Sequence, residues 1–429
     1  MLAVLRHRDF TLLWAANVVS MAGDWALLIA LPVYVYTLTR SALATGASFA
    51  VYMAPRILLG PLAGVLADRW DRKRTMVAAD LAQAAILLPL LAVDAPGRVW
   101  IVYLVTFAEA VAAQFCAPAE GALLPHLVPE DELVAANSLD SVMSGVARLA
   151  APPLGGLLVA TLGLGAAVVI DGASFLVSGV LIACIAASGR GAAERALAGG
   201  GIVAQWASLW RDCRDGLVVV VRRRVLAVVF VADGLANLEA GIVNVLLVVF
   251  VAKVLAGGAI QYGWATAAWG LGSLGGSVAM GLAGKRIPIA SAYSAGLLAL
   301  GAGVAAASAA RSIVVAMPLL ALAGFGMIGW LVSGRTLLQR GTSDAYRGRV
   351  LGAHSASCGI LTLAGMAAAS ALGDLVGPAP LIALAGACAL AGGLVAILLL
   401  RRTGPLEWSE TTTTQLAAAG AASDIAPVR

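Results

Sequence analysis

Charged residues are scarce in this chain of 429 residues: they make up 12% of it, whereas 61% of the residues are hydrophobic. A typical soluble domain carries about 25% charged residues. Apolar runs long enough to cross about 30 Å of hydrocarbon recur along almost the whole chain. The composition therefore predicts an all-α, polytopic membrane protein and excludes an ordinary soluble domain.

Lysine and cysteine are also rare. Only three of the 28 basic residues are lysine, and the net charge is a modest +5. The basic residues cluster at the ends of apolar runs, a distribution that does not suit nucleic-acid binding. The five cysteines are scattered and form no C-x-x-C pair, so the sequence predicts neither disulfides nor a cysteine metal cluster.

Catalytic signatures are missing as well. The chain has no H-E-x-x-H, no G-x-S-x-G and no G-x-x-x-x-G-K-[ST] phosphate loop. We therefore expect a protein that is not an enzyme and not an ATP-driven pump. The sequence also indicates no cofactor and no metal site.

What the chain does contain is a regular series of apolar runs. They predict twelve spans, each long enough for the bilayer, at about 10–37, 43–66, 75–93, 98–118, 137–161, 166–187, 224–254, 260–283, 288–309, 312–337, 349–373 and 378–401.

The loops between these spans differ in their basic content. Those that follow the even-numbered spans hold most of the arginines, for example Arg69 to Arg74 and Arg340 to Arg349, whereas the others hold Arg40, Arg98, Lys253 and Arg311. Basic loops stay on the cytoplasmic side. The asymmetry predicts twelve spans with both termini in the cytoplasm and a location in the cytoplasmic membrane of a bacterium.

The two halves of the chain also repeat each other at an offset of about 210 residues, which is typical of carriers built from paired repeats. Asp24 in span 1 corresponds to Asp233 in span 7. We expect a six-helix bundle over 1–187, a cytoplasmic linker with an amphipathic helix over 188–222, a second bundle over 223–402, and a disordered tail over 403–429.

One loop is unusually charged for its length. It follows span 2 and reads G-V-L-A-D-R-W-D-R-K-R from Gly64 to Arg74. Small residues before it allow a neighbouring helix to approach closely. This stretch resembles the signature loop of the major facilitator superfamily, and its D-R-x-D-R-[RK] form resembles the macrolide-efflux and enterobactin-exporter branch. In that family the loop closes the cytoplasmic gate, which implies this role for Gly64, Asp68, Arg69, Arg72, Lys73 and, at the start of span 11, Arg347.

Span 5 carries a second resemblance. Gly145, Pro152, Gly155 and Gly156 are similar to the antiporter motif of the same superfamily, with Ala151 at one of its glycine positions. Prolines and paired glycines bend a helix and let a partner approach. The resemblance implies export driven by proton exchange. A merely kinked span is the alternative interpretation.

Charged residues inside predicted spans are the remaining candidates, because a charge at bilayer depth is costly unless it has a function or a partner. Asp24 leads them, since a carboxyl group in an apolar cavity favours its neutral form and can load and release a proton. A helix-packing acid paired with Arg56 or Arg148 is the alternative. The candidates for substrate or proton coupling are Asp24, Arg56, Glu109, Arg148, Asp233, Asn237, Glu239 and Arg335.

Three other titratable residues receive different expectations. We expect Asp171 and Asp374 to lie near span ends and to reach the membrane interface. We expect His354, a lone histidine in span 11, to be a hydrogen-bonded packing residue and not a proton relay.

These features favour a monomeric secondary transporter that exports an amphipathic organic compound, such as a drug, an antibiotic or a siderophore-like product, in exchange for protons. A cavity walled by Ala, Leu, Val and Met with a few charges suits such compounds better than sugars. The alternatives are a carrier for uptake or for lipid movement and, in a different class, a membrane-embedded enzyme.

Overall fold

A computed structural model describes residues 2–67, 71–186, 214, 217–221, 223–283, 286–342 and 344–400. These residues form helices and short connections, with no strand among them. The all-helical prediction is confirmed for this part of the chain. The amphipathic helix predicted in the linker and the predicted tail fall largely outside the described residues.

The long helices follow one another with short connections. Leu133–Ala183 is broken at Gly163, whose φ of 78° lies in the left-handed region that glycine tolerates. We call its two parts α5 (133–162) and α6 (164–183). The others are α1 (Arg8–Thr39), α2 (Ala42–Ala67), α3 (Arg72–Leu87), α4 (Val99–Leu123), α7 (Arg224–Lys253), α8 (Ala259–Ala283), α9 (Ile289–Ser308), α10 (Ile313–Arg340), α11 (Asp344–Leu372) and α12 (Pro378–Leu400).

Short 3₁₀ turns flank some of these helices, at Leu2–Arg6, Leu88–Ala92, Pro96–Arg98, Leu124–His126 and Glu130–Glu132. The helices coincide with the predicted spans to within a few residues. Nine helical segments among the described residues are long and apolar enough to cross a membrane, and Ala42–Pro55 is a shorter apolar helix. The chain is thus a multi-pass membrane protein by length and composition.

Local chemistry explains several helix ends. The side chain of Asp71 accepts a hydrogen bond of 3.0 Å from the backbone N–H of Arg74 and so caps the start of α3. Arg40, with a φ of 53°, turns the chain between α1 and α2. The charged loop after α2 therefore ends in a true helix start, which fixes where α3 begins.

The helices pack in two groups. Within the first half (α1–α6), α1 packs against Leu133–Ala183, and α3 and α4 pack against each other. Within the second half (α7–α12), α9 packs between α10 and α12, and α7 contacts α11 and α12. Each half has its own buried apolar core, exemplified by Leu87 and Phe175 in the first and by Val229 and Leu297 in the second.

The two halves meet along α5 and α8 and along α2 and α11. Small residues permit this contact. A Cβ atom at Gly156 would overlap the backbone of Ala259 on α8, and one at Gly46 would overlap Ser370 on α11. Both contacts lie towards the end of the bundle at which α1 ends and α2 begins. We call it the distal end.

Candidate functional site

The first half contains a cavity of about 430 Å³ between α1, α2, α3 and α4. Its wall is mainly apolar and aromatic, with Trp25, Leu28, Phe49 and Tyr52 among the lining residues. Asp24 and Glu109 also line it, as do the polar side chains of Ser48, Gln83 and Thr106. An apolar pocket with a few convergent polar groups is the usual form of a small-molecule site.

Three carboxyl groups come together beside this cavity, two of them in its wall. They belong to Asp24 on α1, Glu109 on α4 and Asp171 on α6, and one oxygen of each lies within 4.8 Å of the others. Asp171 has 0% exposure, and its Oδ2 atom has no hydrogen-bond partner. In the described part of the chain, no lysine or arginine pairs with any of the three. The fold thus brings together two of the predicted coupling residues and Asp171, which the sequence predicts at the membrane interface.

The assignment of Asp171 to the membrane interface is wrong. Its position near the middle of α6 and its complete burial place it inside the first half. Its carboxyl group is held locally by Ser174, whose Oγ donates to the main-chain oxygen of Asp171 at 2.7 Å and lies 3.3 Å from Oδ1. Nearness to a span end in the sequence therefore does not show whether a side chain faces the membrane interface or the protein interior.

Close packing of α1 on α6 creates the cluster. Gly23 precedes Asp24 and lies directly against Asp171 and Ser174, where a Cβ atom would overlap both side chains. Gly155 on α5 lets Ala26 approach on the next turn of α1, with a would-be Cβ contact of 2.9 Å. The glycines therefore bring the carboxyl group of Asp24 to that of Asp171.

The first half contains a second buried acid, which the sequence did not single out. Asp80 on α3 is 5% exposed, and its Oδ2 atom has no hydrogen-bond partner. The signal was available, because Asp80 interrupts the apolar run that predicts span 3. Glu120 on α4 is different, since it accepts a hydrogen bond of 2.5 Å from Asn17 on α1.

The second half holds its leading acid in another way. Asp233 on α7 is 3% exposed and accepts hydrogen bonds through Oδ1 from the hydroxyl of Tyr293 at 2.5 Å and from the indole N–H of Trp330 at 2.6 Å. Nε2 of His354 lies 2.6 Å from Oδ2. One carboxyl group thereby connects α7, α9, α10 and α11.

The other candidates of the second half surround this group. Asn237 donates to the main-chain oxygen of Asp233 at 2.7 Å and accepts from Thr362 at 3.3 Å. Glu239 is 1% exposed, with Oε1 unpartnered. Arg335 is exposed on α10. The expectation that His354 is a hydrogen-bonded residue agrees with its contact to Asp233.

The residues expected to form the cytoplasmic gate are described in part. The guanidinium group of Arg72 lies 2.7 Å from Nε2 of His126, and the ammonium group of Lys73 donates to the main-chain oxygen of Ile185. Arg347 is half-buried in the first turns of α11. Asp68 and Arg69 lie outside the described residues. For Gly64 and Arg56 in α2, and for Gly145, Arg148 and Pro152 in α5, the backbone alone is described.

A polar contact closes the distal end. Oδ2 of Asp374 accepts hydrogen bonds from the backbone N–H of Ala42 at 2.8 Å and from the hydroxyl of Ser41 at 3.1 Å. Oδ1 lies 3.4 Å from the ammonium group of Lys253. Asp374 therefore caps the first helix turn of α2 from the second half and joins the two halves. It lies at a helix end and is exposed, as expected from the sequence.

Comparison with known proteins agrees with this architecture. The family model described as "Major Facilitator Superfamily" matches residues 13–238. The chain is 30% identical over 178 residues to macrolide efflux protein A of Streptococcus pyogenes, a match that covers 41% of this chain and 44% of that protein. The chain thus matches less than half the length of this relative. It is 29% identical over 422 residues to an uncharacterised MFS-type transporter of Mycobacterium tuberculosis, covering 92% of each.

Solved structures show the same fold at low sequence identity. A bacterial homologue of the iron transporter ferroportin, in an inward-facing state, superimposes with a TM-score of 0.72 at 17% identity, covering 91% of this chain and 98% of that one. The nucleoside transporter NupG gives a TM-score of 0.73 at 12% identity, covering 91% and 99%.

Proposed function

The chain belongs to the Major Facilitator Superfamily, and on that premise we propose that it exports an amphipathic organic compound across the bacterial cytoplasmic membrane in exchange for protons. The observation that carries the proposal is the meeting of Asp24, Glu109 and Asp171 at an apolar cavity, without a lysine or arginine paired to them among the described residues. Intramembrane acids of this kind mark substrate and proton pathways.

Proton exchange follows from the position of Asp24. When the cavity opens to the more acidic side, the carboxyl group takes up a proton, because burial among apolar side chains favours its neutral form. When the cavity opens to the cytoplasm, the proton leaves and substrate enters. Glu109 and Asp171 lie close enough to Asp24 for the three charges to interact, so we propose that the cluster titrates as one unit.

The cavity wall supports an amphipathic substrate. Trp25, Leu28, Phe49 and Tyr52 offer apolar and aromatic surface, whereas Gln83 and the acids supply a small polar patch. A sugar would need many more hydrogen-bonding groups. Macrolide-like drugs and siderophore-like products are the compounds we favour, in line with the similarity to macrolide efflux proteins over the matched 178 residues.

Alternating access is proposed to occur between the two halves. Twelve spans with cytoplasmic termini would put the arginine-rich loops inside. Asp68, Arg69, Arg72 and Lys73 would then close the cytoplasmic side against the start of α11 near Arg347. The contact of Asp374 with Ser41 and Ala42 would close the opposite side. We propose that a monomer in the bilayer is sufficient for the whole cycle.

The test is substrate-driven proton release from inverted membrane vesicles that contain the protein, using a panel of hydrophobic cationic and neutral drugs. A transported compound should collapse the acid-inside gradient with the wild type and fail with Asp24→Asn. The matched control is Asp94→Asn, because Asp94 pairs with Arg98 on the surface and lies away from the cavity.

Two results would contradict this function. If labelled drug moves while no compound releases protons, the exchange mechanism is wrong. If Asp24→Asn behaves like Asp94→Asn, the cluster is not the coupling site.

A further inference from the structure

The carboxyl cluster of the first half has the dimensions of an ion-coordination sphere. One oxygen each from Asp24, Glu109 and Asp171 lies within 4.8 Å of the other two. Oxygen ligands at about 2.1–2.4 Å from a cation lie about 3–3.4 Å apart when adjacent and about 4.2–4.8 Å apart when opposite. Because 4.8 Å is the upper limit on all three separations, small side-chain rotations are enough to bring the three oxygens onto one ion, without movement of a helix backbone.

The same cavity contains a buried hydroxyl group without a hydrogen-bond partner, that of Thr106. Thr106 is 6% exposed and lines the cavity one turn before Glu109 on α4, so the two side chains share a helix face. Its Oγ1 atom has no hydrogen-bond partner. Buried hydroxyl groups are nearly always hydrogen-bonded, so an unpartnered one needs an explanation. A bound cation that accepts a neutral oxygen ligand would be the missing partner of this hydroxyl group.

The ligand set selects the kind of cation. All the groups at the cluster are oxygens, and neither histidine nor cysteine belongs to it. Carboxylate and hydroxyl oxygens suit hard ions such as Mg²⁺, Ca²⁺ and Mn²⁺, whereas soft ions prefer sulfur and imidazole. Three ionised carboxylates carry three negative charges. A divalent cation neutralises two of them, whereas a single organic ammonium group would neutralise only one.

We propose that Asp24, Glu109 and Asp171 bind one hard divalent cation in the cavity of the first half, with the hydroxyl of Thr106 as a neutral ligand. The sequence could not indicate this site, because the three acids are separated by 85 and 62 positions and converge through the packing of α1, α4 and α6. Binding is a property of the resting protein and goes beyond the export proposed above.

Protons and the cation compete for the same oxygens. Besides the three acids themselves, Asp80 on α3 and the thiol of Cys116 on α4 lie near enough to act electrostatically on Asp24 among the described residues. Asp80 does not contribute to the triad of close oxygens. The bound cation would hold the three acids ionised, so binding is expected to displace protons and to weaken in acid.

The experiment uses the full chain purified in detergent and Mn²⁺ alone as the probe. The free Mn²⁺ signal in electron paramagnetic resonance falls as the ion binds, which gives the affinity and the number of sites. We expect one saturable site per chain. Asp171→Asn and Glu109→Gln should each weaken binding roughly tenfold or more, since loss of even an outer partner of a metal ligand costs about 10- to 100-fold.

The matched control is Glu239→Gln in the second half. Glu239 is equally buried and has an unpartnered oxygen, but it lies on α7 and outside the cluster. Thr106→Val, which replaces the hydroxyl by a methyl group of similar size, serves if the acid variants fold poorly, and it should weaken binding by a smaller factor.

Absence of saturable Mn²⁺ binding in the folded wild type overturns the proposal. An equal loss in Glu239→Gln and Asp171→Asn also overturns it, because the ion then binds elsewhere or on the surface. Binding that depends on the cluster, together with vesicles that release no protons, would sustain the cation site and refute proton-coupled export. The two proposals can thus fail separately.

Discussion

In the first half of the molecule, the acids at the cavity have few hydrogen-bond partners among the described residues, whereas the second half surrounds its leading acid with donors. Asp24 and Asp171 meet at a cavity, and an oxygen of Asp171 has no hydrogen bond. Asp233 accepts from Tyr293 and Trp330 and contacts His354. The same residue type therefore occurs in two opposite environments.

This difference is informative because the sequence predicts that Asp24 and Asp233 are repeat-related positions, and each lies in the first helix of its half. A fully bonded carboxyl group connects four helices and stabilises them. A carboxyl group without partners is costly to bury, and such a cost is tolerated mainly where a ligand or proton is bound. We infer that the two halves have divided structural and transport roles between equivalent residues.

The largest expected effect is a loss of stability, and it tests whether Asp233 has a structural role in the second half. Asp233→Ala should lower the free energy of unfolding by about 3–5 kcal/mol, because it removes the acceptor of two buried donors and the partner of a partly buried histidine. Thermal unfolding in detergent measures the change. Asp24→Asn is the comparison and should leave stability equal or slightly higher, since it breaks no hydrogen bond. Similar losses in both variants would remove the distinction between the halves.

The sequence predicts the helices well and the site only in part. Long apolar runs form helices, because a segment in a membrane must satisfy its backbone hydrogen bonds internally. Residues such as Arg40, Asp71 and Gly163 mark where these helices begin or end. Asp24 and Glu109 were found because they interrupt such runs. Asp171 was placed wrongly and Asp80 was overlooked, because which face of a helix meets which neighbour depends on packing between distant segments.

The network around Asp233 shows the same limit. His354 was expected to form a hydrogen bond, but its partner lies 121 positions away on another helix. Tyr293 and Trp330 gave no signal at all, since aromatic residues in apolar helices are common in packing and at membrane interfaces. Only the fold reveals that three side chains converge on one carboxyl group.

An intermediate effect tests how the first half builds its cluster. Gly23→Ala should destabilise the protein by about 1–3 kcal/mol, because the added methyl group overlaps Asp171 and Ser174 and separates α1 from α6. It should also reduce proton release, since Asp24 moves with Gly23.

Gly121→Ala is the matched control for this change. Gly121 lies in α4 with nothing within 4 Å of a would-be Cβ, so alanine there should stabilise the helix by roughly 0.5–1 kcal/mol. The same unfolding measurement covers both variants. If both glycines tolerate alanine equally, close approach of α1 to α6 is not what holds the cluster together.

The smallest expected effect lies where the two halves touch at the distal end. Asp374→Ala should cost about 1 kcal/mol, because the N–H of Ala42 loses the cap that the second half provides. Lys253→Gln should cost only roughly 0.2–0.5 kcal/mol, since the ion pair at 3.4 Å is exposed to water.

Because the cap joins the halves, Asp374→Ala should also raise the reactivity of a cysteine introduced at Ser41 towards a membrane-impermeant thiol reagent added outside. If the introduced cysteine reacts equally with and without Asp374→Ala, the two halves are held together at this end by the packing of α5 on α8 and not by the carboxyl group of Asp374.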